Sequence, residues 1–403
     1  MNYNGDYHCY KVMEHIKYFL FIKISILMNY KICIINQGFY KYSIGGAEVQ
    51  LYLLAKELLR NNYEVFYVTN DVNSYQEVEG IKLYPYIHNS NFTKKSCAYF
   101  NEVIDRLHPD LIFQRGRKAV TFYAGNYSQK YRVPFIFAAS MDIDCKKLKS
   151  TPRLFKNRNK FKQVLSLPFA IYEDYKTLHG MKNANIVLAQ SAKQKDLLFD
   201  NLGIKSEIIR NYHPIVKEVY SKEERPVVLW LASIKTWKQP ELFMKLSNTL
   251  KDVNCQFILA GRMAEERYRD KIEAWSKSSN NFKYLENVDF EKSNELIGKA
   301  SIFVNTSLKN EGFPNTFIQA WHRKTPTVTL NFDPDGVIKR EKLGFHSGSF
   351  EQLLKDVNTL IEDRAKRNEI GENAFNYAKL HFSRGESIDK LLCLIKNVVN
   401  NGN

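Results

Sequence analysis

Glu311 heads a segment, EGFPNTFIQAW, whose residue types and spacing are suited to chemistry. Pro314 favours the first position of a helix, because that position needs no N–H donor. The backbone N–H groups of Asn315 and Thr316 would then be free to bind an anion, since the first turn of a helix leaves its donors unpaired. Gln319 follows about one turn later. The spacing predicts that a carboxylate, free amides and an amide side chain face one spot; a structural turn before a capped helix is the alternative.

A lysine lies in a loop that precedes this segment in the chain. Lys238 follows the apolar run VVLWL, within the stretch ASIKTWKQP that begins at Ala232. A lysine at the end of a buried strand can neutralise negative charge on a departing diphosphate. A solvated loop lysine is the alternative, and this residue alone does not distinguish the two.

A glycine pair near the start of the chain is a third candidate. Gly45 and Gly46 follow the first predicted strand and open a helix with the sequence GGAE. Glycine allows a ligand to approach the backbone closely, and the start of a helix attracts phosphate. The pattern is not the G-x-G-x-x-G of dinucleotide-binding enzymes, because no third glycine falls in place. A tight turn is equally compatible with it.

Two further polar segments follow predicted strands in the first half of the chain. Arg115 and Arg117 lie in FQRGRK after one strand, and Asp142 follows another. We expect both segments to face the same cleft, where Asp142 would orient a bound molecule, the acceptor if the protein transfers a group. A helix cap is the other interpretation of Asp142.

The elements that position these residues form two α/β blocks. In each block, short apolar strands alternate with helices, which predicts a parallel sheet with crossover helices. The predicted strands are Lys31–Ile35, Glu64–Val68, Leu111–Phe113, Pro134–Ala138 and Ala184–Ala189 in the first block, and Val227–Leu231, Phe257–Ala260, Ile302–Asn305 and Thr327–Leu330 in the second. Because open α/β sheets bind ligands at the carboxyl ends of their strands, two such sheets predict a cleft between them.

The chain of 403 residues is too long for one ordinary core, and a linker around Pro214 divides it. We predict an N-terminal extension at 1–27, with the fold beginning at Met28. A first domain is predicted at 28–213 and a second domain at 214–380. A C-terminal helix at 381–403 is expected to pack back on the first domain.

The formal net charge of +16 indicates an anionic partner, unless it reflects drift in composition towards lysine. The stretch 146–162 is rich in lysine and arginine, has no acidic residue and is interleaved with apolar residues. It predicts either a surface that docks on an anionic membrane or a solvated loop. The six cysteines form no C-x-x-C pair, so neither a zinc site nor a disulfide framework is indicated.

Taken in order, GGAE with its LAKELL helix, the lysine loop and EGFPNTFIQAW resemble the landmarks of glycosyltransferase family 4. This is the large retaining family of bacterial polysaccharide and lipopolysaccharide enzymes. The resemblance covers most of residues 28–403. It implies a GT-B fold, in which two Rossmann-like α/β domains face each other across a cleft. The domain at 28–213 would be the acceptor side and the domain at 214–380 would bind the nucleotide sugar.

The resemblance also implies roles for individual residues. Glu311 matches the glutamate that contacts the hydroxyls of the transferred sugar, Lys238 the lysine that binds the diphosphate, and Gly46 the glycine that approaches it. Two positions depart from the family. Gln319 stands where a second glutamate usually binds the ribose, and Ser233 stands where an arginine is usual. Glutamine can still hydrogen-bond to ribose hydroxyls, but it carries no charge.

The activity that the resemblance implies is retaining transfer from a nucleoside-diphosphate sugar, with no metal and no cofactor. In the family the leaving phosphate is thought to help deprotonate the acceptor hydroxyl. A glycan or polyprenyl-linked acceptor is expected, in the cytoplasm or at the inner face of the cell membrane. Nucleic acid is not expected as a partner, because the aromatic residues are not grouped in an RNA-binding pattern.

Two other functions stay open at this point. The first is another enzyme, either a nucleotide-sugar epimerase or a different GT-B enzyme; an epimerase would need acid and base carboxylates that the sequence does not locate. A catalytically weak donor- or glycan-binding subunit of a polysaccharide assembly complex is favoured by the departures at Gln319 and Ser233.

Overall fold

A computed structural model describes residues 30–43, 45–86, 92–151, 160–215, 220–308 and 311–402. The predicted extension at 1–27 and the central part of the basic stretch, 152–159, therefore lie outside the described residues.

The first half of the chain forms an eight-stranded sheet, because its short apolar strands pair in parallel through crossover helices. Within the described part of this half, the strand order is β3-β4-β2-β1-β5-β6-β7-β8, in which β3 runs antiparallel to β4 and the other neighbours run parallel. The strands are β1 (Lys31–Ile35), β2 (Glu64–Thr69), β3 (Gln76–Val78), β4 (Ile81–Pro85), β5 (Leu111–Arg115), β6 (Phe135–Ala138), β7 (Ile186–Ala189) and β8 (Glu207–Ile208).

Helices cover both faces of this sheet, so successive residues of each strand enter opposite cores. Ile32 and Ile34 of β1 belong to one core, and Cys33 and Ile35 belong to the other. The helices are α1 (Gly46–Arg60), α2 (Lys94–Asp105), α3 (Ala119–Tyr131), α4 (Lys160–Lys182) and α5 (Ala192–Leu202). A short 3₁₀ turn, Asp142–Cys145, follows β6.

The second half forms a six-stranded, wholly parallel sheet in the order β11-β10-β9-β12-β13-β14. Its strands are β9 (Val227–Leu231), β10 (Gln256–Ala260), β11 (Phe282–Leu285), β12 (Ile302–Asn305), β13 (Thr327–Thr329) and β14 (Gly344–His346). Its helices are α6 (Pro240–Thr249), α7 (Arg269–Ser278), α8 (Phe290–Lys299), α9 (Asn315–Trp321), α10 (Val337–Arg340), α11 (Phe350–Glu362) and α12 (Arg364–His381).

The chain finally returns to the first domain. Helix α13 (Lys390–Gly402) places Leu391, Ile395 and Val399 in the same core as β1. Just before it, Arg384 donates a hydrogen bond of 2.9 Å to the buried carboxylate of Glu57 on α1. The C-terminal segment therefore ties the two halves together.

Both sheets change direction next to their first strand. Strand β1 lies between β2 and β5, and β9 lies between β10 and β12. Such a switch point opens a crevice at the carboxyl ends of the strands. The predicted architecture of two α/β domains with parallel sheets and a cleft between them is thus confirmed.

Several local details differ from the expectation. Helix α4 begins inside the basic stretch and runs for 23 residues, although no helix was predicted there. Pro314 is the residue before helix α9 and not its first residue. The short strands β3 and β8, of three and two residues, were not predicted, because so few residues give no alternating pattern.

Candidate functional site

The cleft between the two sheets contains a cavity of about 480 Å³ with walls from both domains. Gly45 and Gly46 line it from the start of α1 in the first domain. Lys238 and Glu311 line it from the loops after β9 and β12 in the second. The cavity therefore brings together three segments that the sequence singled out.

Lys238 and Glu311 form an ion pair inside this cavity, through the lysine Nζ and the glutamate Oε1. Only 12% of the lysine side chain and 10% of the glutamate side chain are exposed. Burial, and then the charge of nearby Lys235, lowers the pKa of Lys238, whereas contact with a carboxylate favours the charged lysine. An anion bound in the cavity could therefore replace Glu311 as the partner of the lysine ammonium group.

Hydrogen bonds from the next strand end hold the lysine loop in place. The Thr306 hydroxyl donates to the backbone carbonyl of Lys238 at 2.8 Å and accepts a hydrogen bond of 2.9 Å from the buried indole of Trp230. The amide of Leu308 donates to the carbonyl of Trp237 at 2.9 Å. The loop after β9 is thus fixed against the loop after β12, so Lys238 and Glu311 meet.

More cations surround the same cavity. Lys235 and Arg262 line it, and the Lys235 and Lys238 ammonium groups lie 5.3 Å and 4.3 Å from the centre of the Trp237 ring. Burial, and then the charge of Arg262, lowers the pKa of Lys235. Cations that disfavour one another in this way indicate a site for an anion.

Asn315 bridges the two domains across the cleft. Its side-chain amide donates to the carbonyl of Gly46 at 2.8 Å, and its carbonyl accepts a hydrogen bond of 2.8 Å from Asn211 in the linker. Asn211 in turn accepts a hydrogen bond of 2.6 Å from Arg115. The start of helix α9 is thereby tied to the first domain, and Asn315 and Thr316 both line the cavity.

A smaller cavity of about 150 Å³ adjoins the first one and shares residues with it, including Ser233. Gln319 lines this second cavity together with Asp289 and Phe290. The Gln319 side chain is buried, and its nitrogen donates to the side chain of Asn294 at 2.8 Å. Its side-chain oxygen is then the atom that remains to accept a further hydrogen bond.

Asp142 lies outside the residues that line the main cavity, although the neighbouring Ser140 and Met141 do line it. Its carboxylate accepts hydrogen bonds from Lys193 at 2.5 Å and from the side chain of Gln194 at 3.2 Å, both on helix α5. Because both partners are side chains and Met141 is the residue that caps the turn, Asp142 is not a helix cap. An acceptor-orienting role for Asp142 stays a prediction.

The two arginines of FQRGRK separate. Arg115 lines the cavity, and burial lowers its pKa to about 10. Arg117 is buried away from the cavity and pairs with Asp174 at 3.4 Å, so the expectation that it faces the cleft is wrong. The glycine between them adopts a positive φ, which turns the chain after β5 and sends the second arginine into the core.

Asp174 fixes the start of the basic stretch. It accepts backbone hydrogen bonds from Lys149, Ser150 and Thr151 at 2.7 to 3.0 Å. Lys149 itself is buried and pairs with the carboxylate of Asp144 at 2.5 Å. Lys149 is therefore a structural residue and not part of an exposed basic surface.

The sequence interpretation missed Lys235, Arg262 and Asn211. The first two follow the strands β9 and β10 directly, and that position was the available signal. Asn211 carried no signal, since its role depends on Arg115 and Asn315, each about 100 residues away along the chain.

Within the described ranges, no helix combines the length and apolar character needed to cross a membrane. In the same part of the chain, no cluster of three or more histidine, cysteine, aspartate or glutamate side chains has the arrangement of a metal site.

Solved structures of known proteins share this architecture. Sucrose-phosphate synthase from Thermosynechococcus elongatus superimposes with a TM-score of 0.69 at 13% identity, over 92% of this chain and 100% of that one. Anabaena HepE in complex with UDP-glucose gives a TM-score of 0.63 at 16% identity, over 92% of this chain and 98% of that one. At such identities the likeness concerns the fold.

Sequence comparison extends over the same length. An uncharacterized glycosyltransferase of Methanocaldococcus jannaschii is 24% identical over 401 residues, which cover 91% of this chain and 98% of the relative. Residues 44–215 match the model of Glycosyltransferase Family 4, and residues 214–377 match that of Glycosyl transferases group 1. With these two domains in succession, the chain belongs to the family 4-like glycosyltransferases of the GT-B fold.

Proposed function

We propose that this protein is a retaining, metal-independent glycosyltransferase that moves a sugar from a nucleoside-diphosphate sugar to a glycan or lipid-linked acceptor in surface polysaccharide synthesis. The observation that carries the proposal is the contact between Lys238 and Glu311 inside the interdomain cavity. UDP-glucose as the ligand of Anabaena HepE, a protein of the same fold, supports a nucleotide-sugar donor.

The ion pair suggests how the donor enters. The diphosphate offers Lys238 a stronger partner than Glu311, because it carries more negative charge. Glu311 is then released to accept hydrogen bonds from the hydroxyls of the sugar. Lys238 and the other cations stabilise the charge that develops on the diphosphate as the bond to the sugar breaks, and each well-placed donor contributes about 3 kcal/mol.

Transfer with retention requires the acceptor oxygen to bond to the sugar carbon on the face that the diphosphate leaves. The proton of the acceptor hydroxyl passes to an oxygen of the leaving phosphate, so the step needs no general base from the protein. Because the acceptor attacks on the face that the diphosphate leaves, the step needs no nucleophile from the protein either. Positive charge at the site comes from Lys235, Lys238 and Arg262, all of which line the cavity. These cations take the place that a divalent metal holds in other transferases.

A panel of nucleotide sugars tests this proposal. Thermal-shift measurements select the donor, since a ligand that binds the native state raises its apparent stability. Release of the nucleoside diphosphate is then followed with and without EDTA, and NMR gives the anomeric configuration of the product. Glu311→Gln should lower the rate by about 100-fold or more. An inverted product, or activity abolished by EDTA and restored by Mg²⁺, would contradict the mechanism.

The exposed face of helix α4 supports a membrane-associated acceptor. Its apolar side chains are 43% to 69% exposed and lie at helical spacing on one face; they are Val164, Leu165, Phe169, Ile171, Tyr172 and Tyr175. The opposite face holds the buried Asp174. Exposed Lys146 and Lys147 precede this helix. An apolar face next to basic residues is typical of helices that lie in a membrane interface.

Docking would therefore take place on an anionic lipid surface, at the inner face of the cell membrane. We expect the protein to sediment with vesicles that contain phosphatidylglycerol and to do so less in high salt. Leu165→Ser combined with Phe169→Ser should lower binding by about 10-fold or more, because each apolar side chain contributes about 1.5–3 kcal/mol when buried. Leu380→Ser on α12 is a matched control, as Leu380 is 64% exposed. Equal binding by all variants would reject the docking surface.

A catalytically weak binding subunit is the second candidate. Gln319, hydrogen-bonded to Asn294, and Ser233 favour it, since neither carries the charge usual in the family. Donor binding without turnover, with any acceptor fraction from the source cell, would support this candidate. Turnover that Glu311→Gln abolishes would exclude it.

A further inference from the structure

Arg262 lies at the end of a strand next to the strand end that carries Ser233. Strands β9 and β10 are parallel, with Leu231 opposite Ala260, so Ser233 falls beside Arg262. The pairing continues beyond the strands, because the amide of Ile234 donates to the carbonyl of Arg262 at 2.9 Å.

A glycine makes this close approach possible. Gly261 has a φ of +136°, and a Cβ on it would lie 2.0 Å from the carbonyl oxygen of Ala232. Only glycine fits such a contact without displacing the backbone. The chain after β10 therefore passes directly along the chain after β9, and Arg262 emerges at the cavity with Ser233.

The charges around Arg262 indicate an anionic ligand. Arg262 lines both cavities and its side chain is exposed. Among the described residues, its guanidinium takes part in no hydrogen bond or ion pair, whereas Lys238 is paired with Glu311. The nearby carboxylate of Glu265 is bound to Thr236 and Arg267. Arg262 is thus a cation at the cavity whose binding capacity is unused.

We propose that Arg262 binds the diphosphate of the nucleotide sugar together with Lys238. The inference rests on the proposed function, since it names a second cation for the same donor. Guanidinium presents a planar set of donors that can bind two phosphate oxygens at once. Although Ser233 is neutral, the diphosphate would then contact two cations, Lys238 and Arg262. Arg262 follows β10, the strand adjacent to the one that Ser233 follows.

Titration calorimetry with UDP, GDP and ADP, and with the matching nucleosides, tests the role of Arg262. For the diphosphate that binds the wild type best, Arg262→Ala should weaken binding about 10- to 100-fold, the loss expected for a charged hydrogen bond. Binding of the nucleoside should change less than about threefold. Arg364→Ala, which removes an exposed arginine at the start of α12, is the control for net charge.

A relocated charge provides the sharpest control. Ser233→Arg in the Arg262→Ala background returns a guanidinium to the neighbouring strand end and should restore most of the affinity. Equal diphosphate binding by the wild type and Arg262→Ala would overturn the inference and leave the proposed function standing. Equal losses for diphosphate and nucleoside would make Arg262 a structural residue and also overturn it. Failure of the wild type to bind any of the diphosphates would overturn both proposals.

Discussion

Removing either member of the ion pair between Lys238 and Glu311 should lower the stability of the protein, whereas the two removals should change nucleotide binding in opposite directions. Glu311→Gln leaves the lysine without its carboxylate, and Lys238→Met leaves the carboxylate without its lysine. Both changes keep the approximate size of the side chain. The double variant removes both charges together, so comparison with the two single variants gives the interaction energy between Lys238 and Glu311.

The burial of the pair sets the expected magnitude. With only 12% and 10% of the two side chains exposed, solvent screens their charges little. An unpaired charge at this depth costs about 3–5 kcal/mol, which lowers the Tm of a domain of this size by about 10 °C. The double variant should recover most of that loss, because neutral side chains need no partner.

Glutamate and phosphate compete for the same lysine, so Glu311→Gln should bind nucleoside diphosphate about 3- to 10-fold more tightly while it loses turnover. Lys238→Met should lose both nucleoside diphosphate binding and turnover. The lysine offers a further check through its pKa, which burial and Lys235 lower. A neutral Lys238 needs no carboxylate partner. Because its pKa is lower in the folded than in the unfolded protein, Lys238 loses its ammonium proton at lower pH in the folded state. The stability deficit of Glu311→Gln should therefore shrink as the pH rises from about 7 to 9.

Denaturant unfolding of the wild type, the two single variants and the double variant at two pH values measures their free energies of unfolding. Calorimetric titration with the nucleotide measures their affinities. Weaker nucleotide binding by Glu311→Gln would refute the competition between carboxylate and phosphate. Single variants as stable as the wild type, with no recovery in the double variant, would refute the buried ion pair.

The pKa of Lys238, the contact of Asn315 with Gly46 and the contacts of Asp174 each give a further prediction. Wild-type affinity for the nucleotide sugar should fall as the pH rises above about 7, by up to about tenfold per unit, while Lys238→Arg should show a flatter profile because arginine stays charged; a pH-independent wild type would contradict this. Asn315→Ala removes the bond to Gly46 and should weaken donor binding through about 1–2 kcal/mol of lost domain closure, with a larger radius of gyration in solution scattering; an unchanged radius and affinity would exclude the bridge. Asp174→Asn should cost about 3 kcal/mol, because it leaves buried Arg117 unpaired, and should expose the chain around Lys149 to trypsin; unchanged proteolysis would argue against this anchor.

The fold could be predicted from the sequence where burial is complete. Strands β1, β9 and β12 have the predicted bounds, since strands covered on both faces are continuous apolar runs. Helix α4 escaped prediction for the opposite reason. It has apolar residues on its exposed face as well as on its buried face, so its sequence shows no helical period.

The site was predictable only to the level of segments. The positions of Lys238 and Glu311 after two neighbouring strands could be read from the alternation of elements, and both residues lie at the cleft. Their pairing depends on how Thr306 holds one loop against the other. The contacts of Asp142 depend on helix α5, whose Lys193 lies 51 residues further along the chain. No local pattern contains such information.

The effect of the departures at Ser233 and Gln319 depends on the total charge that lines the cleft and not on the residue type at each position. A diphosphate bridging a nucleoside and a sugar needs cations at its oxygens, and their position matters more than the strand that supplies them. Arg262 stands beside Ser233, and Lys235 adds a third cation at the same wall. At Gln319, the loss of a carboxylate removes a negative charge from the adjoining cavity and keeps a hydrogen-bond acceptor there. Both changes leave the cleft suited to a dianion, so they are compatible with donor binding both by an active transferase and by a binding subunit.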